Sequence, residues 1–315
     1  MQELSFASLT KKQKQTSTDK FLSEMDKVIP WKRLITTIEP FYFSGDKGGR
    51  KPMGLELMLR IYFLQQWFNL GDPTVEEAIY DRRSFQSFLR IDLMLNAIPD
   101  ETTILNFRHL LEKHNLTEKI FAEINTMLEE QGLLVKNGTI VDATIIKAPS
   151  STKNKEQKRD PEMTSTRKNG TWYFGMKIHI GTDTKHGLIH SLQGSTGKVN
   201  DVEIMPELLH GMEEAIFGDK GYSSKEYKKS AREAGIFWGV SDRASSKYRL
   251  TEGQKKKNKI TSRVRWKVEH SFQVIKHQWG HIKTRYKGLR KNIAQFFTLA
   301  GLSNLYKMRK KISFC

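Results

Sequence analysis

Thr139-Ile140-Val141-Asp142-Ala143-Thr144-Ile145-Ile146 is the stretch on which the fold turns. It is rich in β-branched residues and too short for a helix, so it predicts a strand. Apolar side chains fall on both parities, the pattern of a sheet centre covered on its two faces. Asp142 is the anomaly, because a carboxylate there is costly unless it is paired or bound to metal. Two plainer readings stand beside the metal one: an Asp at the strand's frayed end, or one answered by a nearby Lys or Arg.

Downstream, Thr171–Gly181 and Leu188–Gln193 alternate like the strands of a hairpin, with Thr182–Gly187 as its turn. Asp201–His210 reads as a short helix, and Ala215–Phe217 as a brief apolar strand ending at Gly218-Asp219. Ser224–Ala234 is a predicted helix and Ile236–Val240 a strand. A basic loop, Lys255-Lys256-Lys257-Asn258-Lys259, leads into long helices over Ser262–Trp279 and Ile293–Lys310. This order predicts an α/β domain over residues 135–315, with a mixed five-stranded sheet and flanking helices.

Upstream the grammar is helical. Residues 1–20 are polar and lysine-rich, a flexible basic N-terminus. Residues 21–134 form an expected all-α domain, with Phe21, Met25, Val28 and Leu57, Ile61, Leu64, Phe68 recurring at helical spacing. Ser44–Gly54 reads as a loop without a phosphate-cradling signature. Thr74 with Glu77 predicts a capping box, and Pro99-Asp100-Glu101-Thr102-Thr103 a helix start. Thr117–Gln131 follows as a helix stopped at Gly132.

The 315 residues carry 53 Lys+Arg against 35 Asp+Glu, a net charge of +18. Residues 1–150 hold 19 basic and 20 acidic groups, whereas residues 251–315 hold 17 basic and only 2 acidic ones. The excess is one block, which suits a polyphosphate partner because each neutralised phosphate releases counterions. A solvated basic face is the bland alternative. The most apolar run, Leu55–Leu70, is interrupted by Glu56, Arg60, Gln65 and Gln66, which argues against a membrane span. No apolar core of a secretory signal follows the N-terminal lysines, so a cytoplasmic protein is expected. Cys315 is the sole cysteine, which excludes disulfides and cysteine-based zinc. His270, His277 and His281 lack a plausible fourth ligand.

Asp219 ends its strand between Gly218 and Gly221, where backbone and ligand can approach closely; a simple turn residue is the alternative. On the helix that follows, Val264, Val268, Phe272, Ile275 and Trp279 form a stripe about 80° wide. Arg265, Glu269 and Lys276 lie within about 40° of one another at its border. An Arg265–Glu269 surface pair explains two of the three. It leaves unexplained why one of the block's two acidic residues stands there. Two strand-borne aspartates and a helix-borne glutamate amid positive charge make an oxygen-ligand set for Mg²⁺ or Mn²⁺.

These residues resemble the bacterial insertion-sequence transposases of the DDE superfamily, closest to the insertion-sequence-five branch of the insertion-sequence-four-like group. The resemblance rests on Thr139-Ile-Val-Asp142-Ala-Thr144, Phe217-Gly-Asp219-Lys-Gly-Tyr222 and Arg265-x3-Glu269-x6-Lys276, with 77 and 50 residues between the carboxylates. Asn200-Asp201, Trp172-Tyr173-Phe174-Gly175-Met176-Lys177-x-His179 and Pro99-Asp100-Glu-Thr-Thr103-Ile104 are similar too, so the likeness spans residues 5 to 310. It implies an RNase H-like catalytic domain, with Asp142, Asp219 and Glu269 holding two Mg²⁺ ions and Mn²⁺ as a substitute. Arg265 and Lys276 become phosphate contacts. Ser262 stands where the wider group has a Tyr, so that hydroxyl contact is replaced at best by a shorter one.

The expected activity is cleavage of double-stranded DNA at element ends and transfer of the 3′-hydroxyl into target DNA, by a homodimer in the synaptic complex. Further expected DNA contacts are Lys220, Arg263, Lys267, Lys255, Lys256 and Lys257. Thr103, Asn106 and Arg108 of the N-terminal helices are candidates for reading the inverted repeats. A nuclease or resolvase without strand transfer, and a catalytically silent DNA-binding regulator, are the alternatives. A single-stranded RNA binder fits less well, since the basic block lacks concentrated aromatics.

Overall fold

β1, Gly138–Lys147, runs through the middle of a mixed sheet. The computed structural model describes residues 15–42, 52–155, 157–168, 170–244 and 249–313. On one side β1 pairs antiparallel with β3, Thr171–Asp183, with Asp142 opposite Ile180. On the other it pairs in parallel with β5, Ala215–Gly218, which pairs in parallel with β6, Phe237–Val240. The far edge of β3 is shared: β2, Thr164–Lys168, takes its first half and β4, Ile189–Thr196, its second. The sheet therefore has six strands, not the five expected. β2 escaped notice because Thr-Ser-Thr-Arg-Lys has no apolar residue and is mostly exposed.

Both faces of β1 are covered, as its composition predicts. Ile140 and Ile146 belong to a large core that also holds Ile178, Ile180, Ile189 and Phe217. Val141 belongs to a smaller one with Met205, Leu208, Ile216, Tyr222 and Val240. The large core extends into the helical N-terminal region: α1 Ser17–Val28, α2 Trp31–Ile38, α3 Leu55–Phe68, α4 Asp72–Asp81, α5 Arg83–Leu89, α6 Glu101–Lys113 and α7 Leu116–Glu130. α3 is buried nearly all round, the pattern of a helix at the centre of a bundle. Its one buried cation, Arg60, is answered by Asp26 at 2.8 Å and Glu56 at 2.7 Å.

Among the described residues α1 already begins at Ser17, capped by Thr16 and Asp19, inside the segment expected to be flexible. Most of the expected Ser44–Gly54 loop lies outside the described residues. The capping box at Thr74 does not form: α4 starts earlier, after Gly71, with Pro73 in its first turn, where the missing N–H costs nothing. Asp100 does cap α6, accepting from the Thr103 N–H at 2.7 Å.

Past β4, α8 is a single turn, Asp201–Ile204, followed by a 3₁₀ turn; α9 is Lys225–Glu233. α10 runs Glu252–Gln273, so the basic Lys255–Lys259 segment is helical rather than a loop. A capping box at Thr251 and Gln254 starts it, and lysines are good helix formers once the start is fixed. The helix continues as a π turn over Val274–Gln278. α11, Leu289–Met308, lies between α7 and β4, pinned by Asn304, which bonds both backbone groups of Ile189 and the Asn125 side chain. Among the described residues no helix is long and apolar enough to cross a membrane.

Candidate active site

Parallel pairing of β1 and β5 matches Ile140 with Phe217, so Asp142 lies two residues past the last pair on β1 and Asp219 one residue past the end of β5. Their carboxylates feel each other. Burial above all, helped by the Asp219 charge and opposed by Arg265, pushes the Asp142 carboxyl up to about 6. Asp219 is the hinge of a tight turn, accepting from the Gly221 N–H at 2.7 Å. A side chain at 221 would put its Cβ 2.8 Å from Asp219 Oδ1, so only glycine leaves that carboxylate free. The same point is 3.8 Å from Asp201 Oδ2, which brings a third aspartate to the edge of the site.

α10 faces these strand ends. Its buried stripe, Val268 and Phe272 followed by Val274, Ile275 and Trp279, packs into the large core. The turn between β3 and β4 seats it: Gly187 adopts φ +66° and passes so close that a Cβ there would lie 2.6 Å from the Lys267 carbonyl. Ser271 and Lys307 both donate to the Gly187 carbonyl. Seated this way, α10 places Arg265 Nη2 3.6 Å from Asp142 Oδ1 and 3.9 Å from Glu269 Oε1. The guanidinium stands between the strand carboxylate and the helix carboxylate, and its Nε is buried without a hydrogen-bond partner. Lys276, in the π turn, donates to Thr144 Oγ1 at 2.9 Å and the Ile145 carbonyl at 3.2 Å, two and three residues beyond Asp142.

Residues 134–305 match the family model described as the transposase DDE domain, and residues 10–110 match a second one described as a transposase domain. The chain belongs to the DDE transposase family. The first match alone spans more than half of the sequence. A DDE domain is built on an RNase H-like fold, which accounts for the mixed sheet and its helices, and the family generally uses divalent metal ions.

In this transposase the donors suit such an ion. Asp142 and Asp219 repel each other next to the Tyr222 hydroxyl, which is buried and has no hydrogen-bond partner. A hard cation would relieve the repulsion between the two carboxylates. Among the described residues no three acidic, His or Cys side chains are grouped closely enough to hold one ion jointly, and Arg265 Nη2 lies within 4 Å of both Asp142 and Glu269.

The other expected contacts are placed less uniformly. Lys220, Arg263, Lys255 and Lys256 are exposed. Lys255 pairs with Glu252 and Lys257 with Asp242, while Lys267 donates to the Thr184 carbonyl at 2.6 Å. Asn106 is exposed and Thr103 half-buried, but Arg108 is buried against Asp72 and Glu112 at 3.1 and 2.9 Å. Ser262 is exposed. Lys177, His179 and Asp201, from two further motifs of the sequence, also come together. Lys177 and His179 share a strand face, and Lys177 Nζ lies 2.9 Å from Asp201 Oδ1, with His179 Nδ1 at 3.9 Å. Alternation on one strand was the signal that could have joined them.

Proposed function

We propose that the protein is an insertion-sequence transposase of the insertion-sequence-five branch. It cleaves the element's ends and transfers the 3′-hydroxyl ends into target DNA. The observation that carries this reading is that Asp142, on β1, and Asp219, just past the end of the adjacent parallel β5, act on each other electrostatically, while Arg265 of α10 lies within 4 Å of both Asp142 and Glu269. Asp142, Asp219 and Glu269 would hold two Mg²⁺ ions, or Mn²⁺ in their place. When bound, such ions activate an attacking hydroxyl and stabilise the leaving oxygen. Arg265 has an unpartnered Nε and a planar fork that matches a phosphate, so it orients the scissile group.

Residues 21–134 act as the domain that binds the terminal inverted repeats, with Thr103 and Asn106 at the DNA, and residues 135–315 as the catalytic domain. Lys220, Arg263, Lys255 and Lys256 extend the basic surface around the site. Two copies assemble on paired ends in the cytoplasm. The test is incubation of purified protein with a DNA fragment ending in the element's inverted repeat, a target plasmid and Mg²⁺. Cleaved ends joined to plasmid are expected. Cleavage without joining would indicate a nuclease, and binding without cleavage a regulator. The Asp142→Ala, Asp219→Ala and Glu269→Ala variants are expected to bind ends and cut none.

A further inference from the structure

A second positive feature lies beside the carboxylates and is built from the sheet itself. β2 and β3 form a hairpin in which Lys168 pairs with Thr171 and Thr166 with Tyr173, so Lys168 and Tyr173 share one face. β1 follows in the sheet, and its last residue, Lys147, places its ammonium 5.3 Å from the centre of the Tyr173 ring. Main-chain bonds hold the backbone of Lys147, whose side chain is exposed: its N–H donates to the Ile282 carbonyl at 3.2 Å and its carbonyl accepts from Thr284 at 2.8 Å. From above, Lys276 is fixed on Thr144 and Ile145 of the same strand.

Lys147 and Lys168 thus flank Tyr173 at the sheet edge, and Lys276 is anchored on the same strand as Lys147, two and three residues before it. No carboxylate pairs with Lys147, Lys168 or Lys276 among the described ion pairs. Burial and the charges of Lys168 and Lys147 all depress the Lys276 ammonium. Like charges gathered without a counter-ion are unfavourable unless an anion joins them.

We propose that Lys147 and Lys168, together with Lys276, form a subsite for one backbone phosphate of the DNA strand flanking the cut. The reading rests on the transposase function above, and it adds a contact that neither the acidic trio nor Arg265 supplies. The Tyr173 ring serves as a platform that keeps the Lys147 ammonium raised toward the backbone.

The test compares the wild type with Lys147→Gln/Lys168→Gln and Lys147→Arg/Lys168→Arg on inverted-repeat duplexes. Each duplex carries a single neutral methylphosphonate at a successive position around the cut. For wild type, cleavage is expected to fall about tenfold or more at one flanking position, the loss of a charged hydrogen bond. The Gln pair is expected to cleave the unmodified duplex that much more slowly and to be indifferent to the methylphosphonate there. The Arg pair should restore both the rate and the sensitivity.

In binding assays the slope of log affinity against log salt should shrink by about 1 to 2 for the Gln pair. Lys229→Gln, on α9, should leave the slope unchanged. If wild type cleaves and the Gln pair matches it in rate, position sensitivity and slope, the subsite is refuted while the transposase reading stands. If wild type cleaves no end at all, that reading fails, and the salt slope alone decides whether these lysines hold DNA.

Discussion

Arg265 Nη2 lies 3.6 Å from Asp142 Oδ1, so the guanidinium bridges a helix to the strand that carries the first carboxylate. Arg265 holds the Asp142 carboxyl down against the effect of burial. Arg265→Ala should therefore lower cleavage of an end fragment about 10- to 150-fold, the range of a charged hydrogen bond. Arg265→Lys should recover only part, since a point charge cannot replace a planar fork. Single-turnover cleavage rates check this; a wild-type rate for the Ala variant would remove Arg265 from the reaction.

Asp142 also makes stability depend on pH in a definite sense. Its carboxyl titrates at about 6 in the folded chain, against 3.8 for an ordinary aspartate. The folded state thus binds the extra proton, and stability falls as pH rises from about 4 to 6, with the full cost of about 3 kcal/mol present above. In EDTA at pH 7, Asp142→Asn is expected to melt higher than wild type, and the difference should vanish below about pH 4. Mn²⁺ should raise the melting temperature of wild type and leave that of Asp142→Asn in place, because only the carboxylate state binds it. Thermal unfolding curves read both.

Much of this site is legible in the linear sequence. Asp142 stands out because β-branched neighbours surround it, and Asp219 because two glycines flank it. Glu269 stands out because an acid is rare in the block around it. Each is a residue that breaks a local pattern. What stayed hidden depends on long-range packing. β2 is polar because it lies on an edge, so it carries no hydrophobic period. The position of Arg265 between two carboxylates depends on Gly187 seating α10, a contact 78 or more residues away in sequence. The Lys255–Lys259 run looks like a loop by composition, and only its capping residues reveal a helix.

Arg108 and Asn106 share a helix and should behave oppositely. Arg108 is buried between Asp72 and Glu112 and lies over the Tyr286 ring at 4.3 Å. Arg108→Ala leaves two carboxylates facing each other and should cost about 3–5 kcal/mol of stability. Asn106 is exposed, so Asn106→Ala should change stability by less than about 0.5 kcal/mol while weakening binding to the inverted repeat. Denaturant midpoints and gel-shift affinities separate the two effects. A stable Arg108→Ala protein with weakened end-binding would reverse the assignment.

Three histidines set the acid limit of the fold. Burial pulls His179, His190 and His281 down to about 4 from 6.5. The unfolded chain takes up their protons first as pH falls, so their contribution is complete above about pH 6.5 and is lost between about 6.5 and 4. The slope is about 1.4 kcal/mol per pH unit for each histidine. His281→Gln should remove one such increment from the slope of unfolding free energy between about pH 6 and 4.5, provided Gln keeps a bond to the Gln66 carbonyl that His281 Nε2 contacts at 2.7 Å. Denaturant titrations across that range give the slope directly, and an unchanged value would show that His281 is not buried neutral.

Tyr222 presents the sharpest conflict between stability and site chemistry. Its ring is fully buried, yet its hydroxyl has no hydrogen-bond partner, and Asp201, Asp142 and Asp219 all push its ionisation upward after burial itself. An unsatisfied buried hydroxyl costs about 1–3 kcal/mol, so Tyr222→Phe should melt higher than wild type in EDTA. The same hydroxyl lies within electrostatic reach of all three aspartates, and once a cation draws the carboxylates together it can donate to one of them, a bond that phenylalanine cannot make. Cleavage should then fall, and half-saturation by Mn²⁺ should move to higher concentration. A stabilised variant with slower, metal-hungry cleavage is the expected pair of results. Stabilisation with unchanged metal dependence would mean that the hydroxyl serves neither the fold nor the reaction.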